Sequence, residues 1–173
     1  MKPVIIISGP VGAGKSTVAR ELIAISTGPV AYIEGDKFWS FIAKGATGTH
    51  SRFNDFKMIM ASMTASAIPY SRAGYEVILD FSIPPWFLDA IRKILITKDI
   101  PVHFVVLQPA EKICAARAAA REEGKIDDYK IYSDLHSSFT GVEKFTIHND
   151  DKDPATVAGF IREGADSGMF RLL

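Results

Sequence analysis

The sequence predicts an α/β fold, a parallel sheet with helices packed on both of its faces. Three observations carry that prediction. Short, mostly apolar runs (4–7, 30–33, 75–81, 102–107) alternate with segments whose apolar residues recur at helical spacing. Those runs lack a regular polar alternation, which marks strands covered on both faces. The first run also turns straight into a helix through a corner with three glycines, Gly9, Gly12 and Gly14.

Val4 to Ile7 is the first expected strand. The pattern Gly9-x-x-x-x-Gly14-Lys15-Ser16 follows it and matches G-x-x-x-x-G-K-[ST] without a mismatch. Val18, Ala19, Leu22 and Ile23 then give residues 15–25 an apolar helical face. Without side chains on the glycines, successive backbone N–H groups can close around an anion, and the helix turns its positive end toward the same point. The corner (Gly9, Val11, Gly12, Ala13, Gly14, Lys15, Ser16, Thr17) is read as the cradle of a nucleoside triphosphate, with Lys15 on the β- and γ-phosphates and the Ser16 hydroxyl on Mg²⁺. A dinucleotide fingerprint fits less well, because Thr17 stands where its last glycine belongs.

Thr27-Gly28-Pro29 marks a turn, and Val30 to Ile33 is the second strand, ending in Glu34-Gly35-Asp36. Residues 37–44 suggest a short helix with Phe38, Phe41 and Ile42 turned inward, and 45–50 a loop. A long helix is expected from Arg52 to about Arg72, with Phe53, Phe56, Ile59, Met60 and Met63 on one face and Pro69 ending or kinking it. Tyr75 to Phe81 is the third strand. Pro84-Pro85 opens a helix to about Thr97, Val102 to Leu107 is the fourth strand, and Pro109 starts a helix through Cys114 and Arg121. Phe145 to Ile147 is a short fifth strand, and Pro154 opens a last helix to about Gly164.

At 173 residues and 47% hydrophobic content, the chain is most simply one domain, 1–173, with a sizeable core. Twenty basic residues balance twenty acidic ones, so net charge does not suggest nucleic acid or an anionic membrane as partner. One cysteine, Cys114, excludes an internal disulfide framework. No apolar run approaches a membrane span, and the cytoplasm is the expected compartment. The four histidines lack metal-ligand spacing, so no zinc site is expected. His103, inside an apolar strand, is expected to be a hydrogen-bonded core residue.

Ligands bind at the C-terminal ends of parallel strands, so Asp36, Asp80 and the glycine corner should meet in one cleft. Asp80 ends an apolar strand, where it can hold Mg²⁺ directly or through water, or act as a capping or loop carboxylate. Asp36 can accept the proton of an attacking hydroxyl, or cap the helix that follows.

GPVGAGKST, IEGD, VILDF and the arginine-bearing helix together resemble the small P-loop kinases. That group includes gluconate, shikimate and adenylylsulfate kinases, chloramphenicol phosphotransferase and the nucleoside monophosphate kinases. The resemblance implies a three-layer P-loop NTPase fold, with five parallel strands in the order 2-3-1-4-5 and a small lid. It implies Asp36 as the catalytic base, with ATP and Mg²⁺ as cofactors. Residues 117–139 are similar to the lid of nucleoside monophosphate kinases. On that likeness the lid spans about 122–138, Arg117 lies against adenine, Arg121 reaches the phosphates, and Asp127 and Asp128 match a pair of lid aspartates. Lys125 stands where the family has arginine, and lysine lacks the bidentate fork that clamps a phosphate. The loop after the last strand lines adenine in these kinases, which points to Asn149 or Asp150 for polar contacts. The acceptor region is expected at about 37–74, with Arg52 as the acceptor contact.

The expected activity is therefore ATP-dependent phosphorylation of a small-molecule hydroxyl, with neither nucleic acid nor membrane as partner. A nucleoside or nucleotide kinase, or a non-catalytic ATP-binding switch, stands as the alternative.

Overall fold

The computed structural model describes residues 1–44, 52–95, 99–122 and 124–172. The side chain of Arg52 lies outside this description, as do the loop expected at 45–50, with its His50, and the expected end of a helix at Thr97.

Five parallel strands, β1 (Val4–Ser8), β2 (Val30–Glu34), β3 (Glu76–Asp80), β4 (Val102–Leu107) and β5 (Thr146–Ile147), form one sheet in the order β2-β3-β1-β4-β5. This is the order expected from the resemblance. The helices are α1 (Lys15–Ala24), α2 (Arg52–Arg72), α3 (Leu88–Leu95), α4 (Glu111–Ala119), α5 (Ser133–Ser137) and α6 (Pro154–Asp166).

The central strand shows why its sequence is apolar throughout. Successive side chains of β1 point to opposite faces of the sheet. Val4 and Ile6 enter the core that packs Ile59, Met60 and Met63 of α2 and Ile91 of α3. Ile5 and Ile7 enter the core that packs Val18 and Leu22 of α1 and Val157 and Ile161 of α6. Each of these β1 side chains is fully buried, worth about 1.5–3 kcal/mol apiece in removed apolar surface. A third, smaller cluster joins Cys114 and Ala118 of α4 to Tyr129.

Several sequence expectations need correction. Residues 35–41 form a 3₁₀ turn rather than a helix over 37–44, and Glu34 rather than Asp36 occupies its N-cap position. At three residues per turn, Phe38 and Phe41 share one side of it, and their rings meet edge to face at 5.3 Å. Phe38 packs toward the core, but Phe41 lies on the outside with 74% of its surface exposed. Phe53, in the first turn of α2, is likewise exposed, whereas Ile59, Met60 and Met63 are buried as expected. Pro69 sits inside α2 three residues before its end. Pro85–Phe87 is a separate 3₁₀ turn before α3. Phe145 belongs to a 3₁₀ turn before β5. Helix α4 stops at Ala119, so Arg121 lies beyond it. His103 is buried, but its Nδ1 has no hydrogen-bond partner among the described residues. Among the described residues, no helix is long and apolar enough to cross a membrane.

Candidate functional site

The glycine corner is closed on itself by contacts from distant parts of the chain. At the end of β1, the Ser8 hydroxyl donates to Ile83 O (2.7 Å) and accepts from Ile83 N (2.9 Å), which holds the segment after β3 beside the loop. A Cβ on Gly9 would lie 2.1 Å from the Leu107 carbonyl oxygen, and one on Gly12 would lie 2.2 Å from that of Cys114. Both glycines also have positive φ, 138° and 81°. Close approach and backbone conformation thus both exclude a side chain at these positions.

Two loop carbonyls are tied outward. The Tyr129 hydroxyl donates to Val11 O at 2.6 Å, and Asn149 Nδ2 donates to Ala13 O at 3.0 Å. The C=O and N–H of one planar trans peptide point in opposite directions. Tying these carbonyls away therefore turns the Gly12 and Gly14 N–H groups to the opposite side, where an anion can be met by amide donors. Lys15 Nζ donates to Pro10 O and to the Ser82 hydroxyl, each at 3.0 Å. Burial lowers the pKa of Lys15, against the opposing pull of Asp80 and Asp36 and alongside the repulsion of Arg121.

The carboxylates converge as expected from a parallel sheet. Asp80, the last residue of β3, is paired in register with Ile7 of β1 and Glu34 of β2. It is buried, and its Oδ2 accepts a hydrogen bond from the Tyr32 hydroxyl at 2.9 Å. Burial raises the pKa of Tyr32, and Asp80 raises it further, while a hydrogen bond with Ser16 opposes them. Tyr32, Asp80 and Ser16 thus form one oxygen cluster at the start of α1. A hydroxyl and a carboxylate are the hard donors that Mg²⁺ prefers, so these residues fit that ion.

Asp36 lies at the accessible mouth of the same corner. Desolvation by the surrounding walls raises its carboxyl pKa, Lys15 lowers it, and Asp80 raises it. Its 3₁₀ turn has no side-chain cap bond, so the capping reading of Asp36 is not met. Arg121, although off the helix, is close enough for its charge to act on both Lys15 and Asp36.

Arg117, on α4, donates through Nη2 to Asn149 O (3.1 Å) and Asp150 O (2.9 Å). Its Nη1 and Asn149 Nδ2 both stand 3.9 Å from where a Cβ on Gly14 would be. A cavity of about 150 Å³ opens here, lined by Gly14, Thr17, Arg117, Asn149, Pro154 and Val157 among others. Asn149 is buried, and its Oδ1 has no hydrogen-bond partner among the described residues. An unpaired buried acceptor beside a guanidinium and an apolar wall fits the polar edge and flat face of a nucleobase. A larger cavity, about 480 Å³, lies at the opposite end of the sheet around Ser26, Glu76 and Arg162, and none of its lining residues belongs to the glycine corner.

In the segment expected as a lid, Lys125 pairs with Asp127 at 2.8 Å, and Asp128 accepts from Lys130 N at 3.0 Å. Both aspartates are thus engaged locally. Sequence reasoning missed three residues of the corner: Tyr32, Ser82 and Tyr129. Tyr32 had a signal, since it lies two residues before Glu34, the sheet partner of Asp80.

Solved structures with the same fold include the tunicamycin resistance protein of Deinococcus radiodurans, 21% identical over 99% of this chain and 98% of that one, with a TM-score of 0.72. A sugar kinase from Janibacter sp. HTCC2649 is 17% identical over 96% and 95% of the two chains (TM-score 0.74). The Mycobacterium tuberculosis APS kinase, solved with AMPPNP and APS, is 18% identical over 94% and 96% (TM-score 0.67). Residues 4–135, which include the glycine corner, both carboxylates and both arginines, match the AAA domain family. The chain belongs to the AAA domain family and has the fold of the small P-loop kinases.

Proposed function

We propose that this protein is an ATP-dependent kinase that transfers the γ-phosphoryl group to a hydroxyl of a small molecule. The observation that carries the reading is the meeting of the glycine corner, Lys15, Asp80 and Asp36 at the C-terminal ends of β1, β2 and β3. The sugar kinase and the APS kinase that share the fold support it.

In this reading the loop N–H groups and Lys15 hold the β- and γ-phosphates, and Lys15 exchanges Pro10 O and Ser82 for phosphate oxygens. Ser16 and Asp80 hold Mg²⁺, oriented by the Tyr32 hydroxyl, and the ion when bound offsets charge on the phosphates. Arg117 and Asn149 receive the base. Asp36 accepts the proton of the acceptor hydroxyl as its oxygen bonds to the γ-phosphorus and the bond to ADP breaks. Arg121 lies where its charge can stabilise the transferred group. Lys125, standing where the family has arginine, favours an alcohol acceptor over a nucleotide one, because lysine lacks the bidentate fork that clamps an acceptor phosphate.

The test is ADP release with Mg·ATP against pooled metabolites, nucleosides and hydroxylated antibiotics, with Asp36→Asn alongside. One pool should raise turnover in the wild type. The variant should lose kcat by roughly 10²-fold or more while keeping its KM for ATP. Turnover near wild type in Asp36→Asn would remove Asp36 from the chemistry.

A further inference from the structure

The end of the sheet opposite the glycine corner carries the larger cavity, about 480 Å³, a volume within the range of small-molecule sites. Its floor is an ion pair. Arg162 of α6 donates through both Nη atoms to Glu76, the first residue of β3, at 2.6 and 2.7 Å, and through Nη2 to the Ser26 hydroxyl at 2.9 Å. The Arg162 and Glu76 side chains are only 23% and 14% exposed, so the pair is fixed and its two charges answer each other. Ile25, Pro29 and Val30 supply an apolar side.

The rim carries two further charges, and these are unmatched. Lys2 and Asp166 both line the cavity and both are exposed. Among the described residues neither makes an ion pair. Lys2 acts through its charge on Glu76, and Asp166 on Arg162, so cations and anions alternate in the lining. The Lys2 backbone is pinned from behind by the buried Ser71, whose carbonyl takes its N–H at 3.2 Å and whose hydroxyl donates to its oxygen at 2.5 Å. Asp166 is the last residue of α6, and Ile25 occupies the C-cap of α1. Both helices thus turn their negative ends to this cavity, which adds to Asp166 in favouring a cation. An ion pair that only fastened α6 to β3 would require neither the open space above it nor unmatched charges around it.

We propose that this cavity is a second ligand site, for a small zwitterion whose carboxylate meets Lys2, whose ammonium meets Asp166 and whose hydrocarbon lies on Ile25, Pro29 and Val30. Its chemical class is that of the free amino acids. A ligand with one charge would satisfy one rim group and leave the other unmatched, whereas a zwitterion answers both. The site shares no residue with the kinase reading and is tested independently of it.

The experiment follows backbone amide resonances of the full chain during titration with leucine, phenylalanine and 6-aminohexanoate. Hexanoate and hexylamine serve as controls that carry one charge each. At least one zwitterion should give saturable shifts centred on Ser26, Gly28, Glu76 and Arg162, with Gly12 and Gly14 unmoved and neither control saturating over the same range. Lys2→Met and Asp166→Asn, both at exposed positions and clear of the floor pair, should each weaken that binding about fivefold.

No saturable shift with any zwitterion at millimolar concentration overturns the proposal, as does an affinity indifferent to either variant. Equal binding of hexanoate or hexylamine overturns the zwitterion assignment. Shifts centred on Gly12 and Gly14 instead place the ligand in the glycine corner and overturn the second site. Sedimentation showing a dimer that Lys2→Met or Asp166→Asn dissociates also overturns it, in favour of an interface between copies.

Discussion

Adding a single methyl group at Gly35 tests how the corner is packed. A Cβ at that position would lie 2.5 Å from two ring atoms of Phe81 and 2.7 Å from its Cβ. The ring cannot simply swing aside, since Phe81 is buried and held in tilted contact with Phe56 of α2. Gly35 is not among the residues with positive φ, so alanine adds no backbone strain and its whole effect is steric. Overpacking of this kind costs about 1–3 kcal/mol. For a domain of this size that lowers Tm by roughly 2–4 °C per kcal/mol. Gly35→Ala should therefore melt roughly 4–8 °C below wild type if the cost is near 2 kcal/mol. Because Asp36 follows directly, turnover should fall as well. Phe81→Ala removes the obstructing Cγ and Cδ2, and in the double variant the two losses should sum to less than expected by about 1 kcal/mol or more. Thermal melts of the four proteins in the cycle decide it. Additive losses, or a Gly35→Ala variant that melts with wild type, would refute the close approach of Phe81.

Tyr32→Phe removes the hydroxyl bonded to Asp80 and should raise the half-saturating Mg²⁺ concentration about tenfold, read by titrating Mg²⁺ at fixed ATP; an unchanged midpoint would detach Tyr32 from the ion. Burial would raise the Glu76 pKa, but two Arg162 hydrogen bonds (2.6 and 2.7 Å) and the guanidinium charge bring it below the ordinary glutamate value. That stability is present above the unfolded pKa and lost as pH falls through the folded one, so the Tm gap between wild type and Glu76→Gln should close on acidification. The raised carboxyl pKa of Asp36 has the opposite sign: its stability is present below the unfolded pKa and lost as pH rises through the folded one. Asp36→Asn should therefore melt above wild type at neutral pH, with the gain vanishing in acid, and the acid limb of wild-type kcat/KM should lie above the ordinary aspartate value of 3.8.

The parts legible in the sequence are those fixed by local pattern. The glycine corner, the apolar strands and the buried face of α2 all follow from spacing within one element. Strand order did not come from spacing; it came with the family resemblance, because adjacency in a parallel sheet is set by crossovers and not by neighbouring residues. Tyr32, Ser82 and Tyr129 escaped notice for the same reason. Each acquires its role only when another strand or segment is laid beside it. Phe41 and Phe53 were assigned inward on helical periodicity, which fails where the turn is 3₁₀ and where a helix begins beyond the edge of the core. The meeting of Asp80, which ends β3, with Asp36, two residues beyond β2, is legible because chain order alone predicts that the C-terminal ends of parallel strands converge.

The tethers on the glycine corner bear on how the protein folds. Tyr129 to Val11 spans 118 residues and Asn149 to Ala13 spans 136. Such contacts close late, because the loop entropy of bringing distant segments together must be met first. A chain with β1 and α1 formed but the later segments undocked would carry the full glycine motif and still lack an organised anion site. Nucleotide affinity therefore reports completion of the whole domain, and bound nucleotide should stabilise the last-docked segments by mass action.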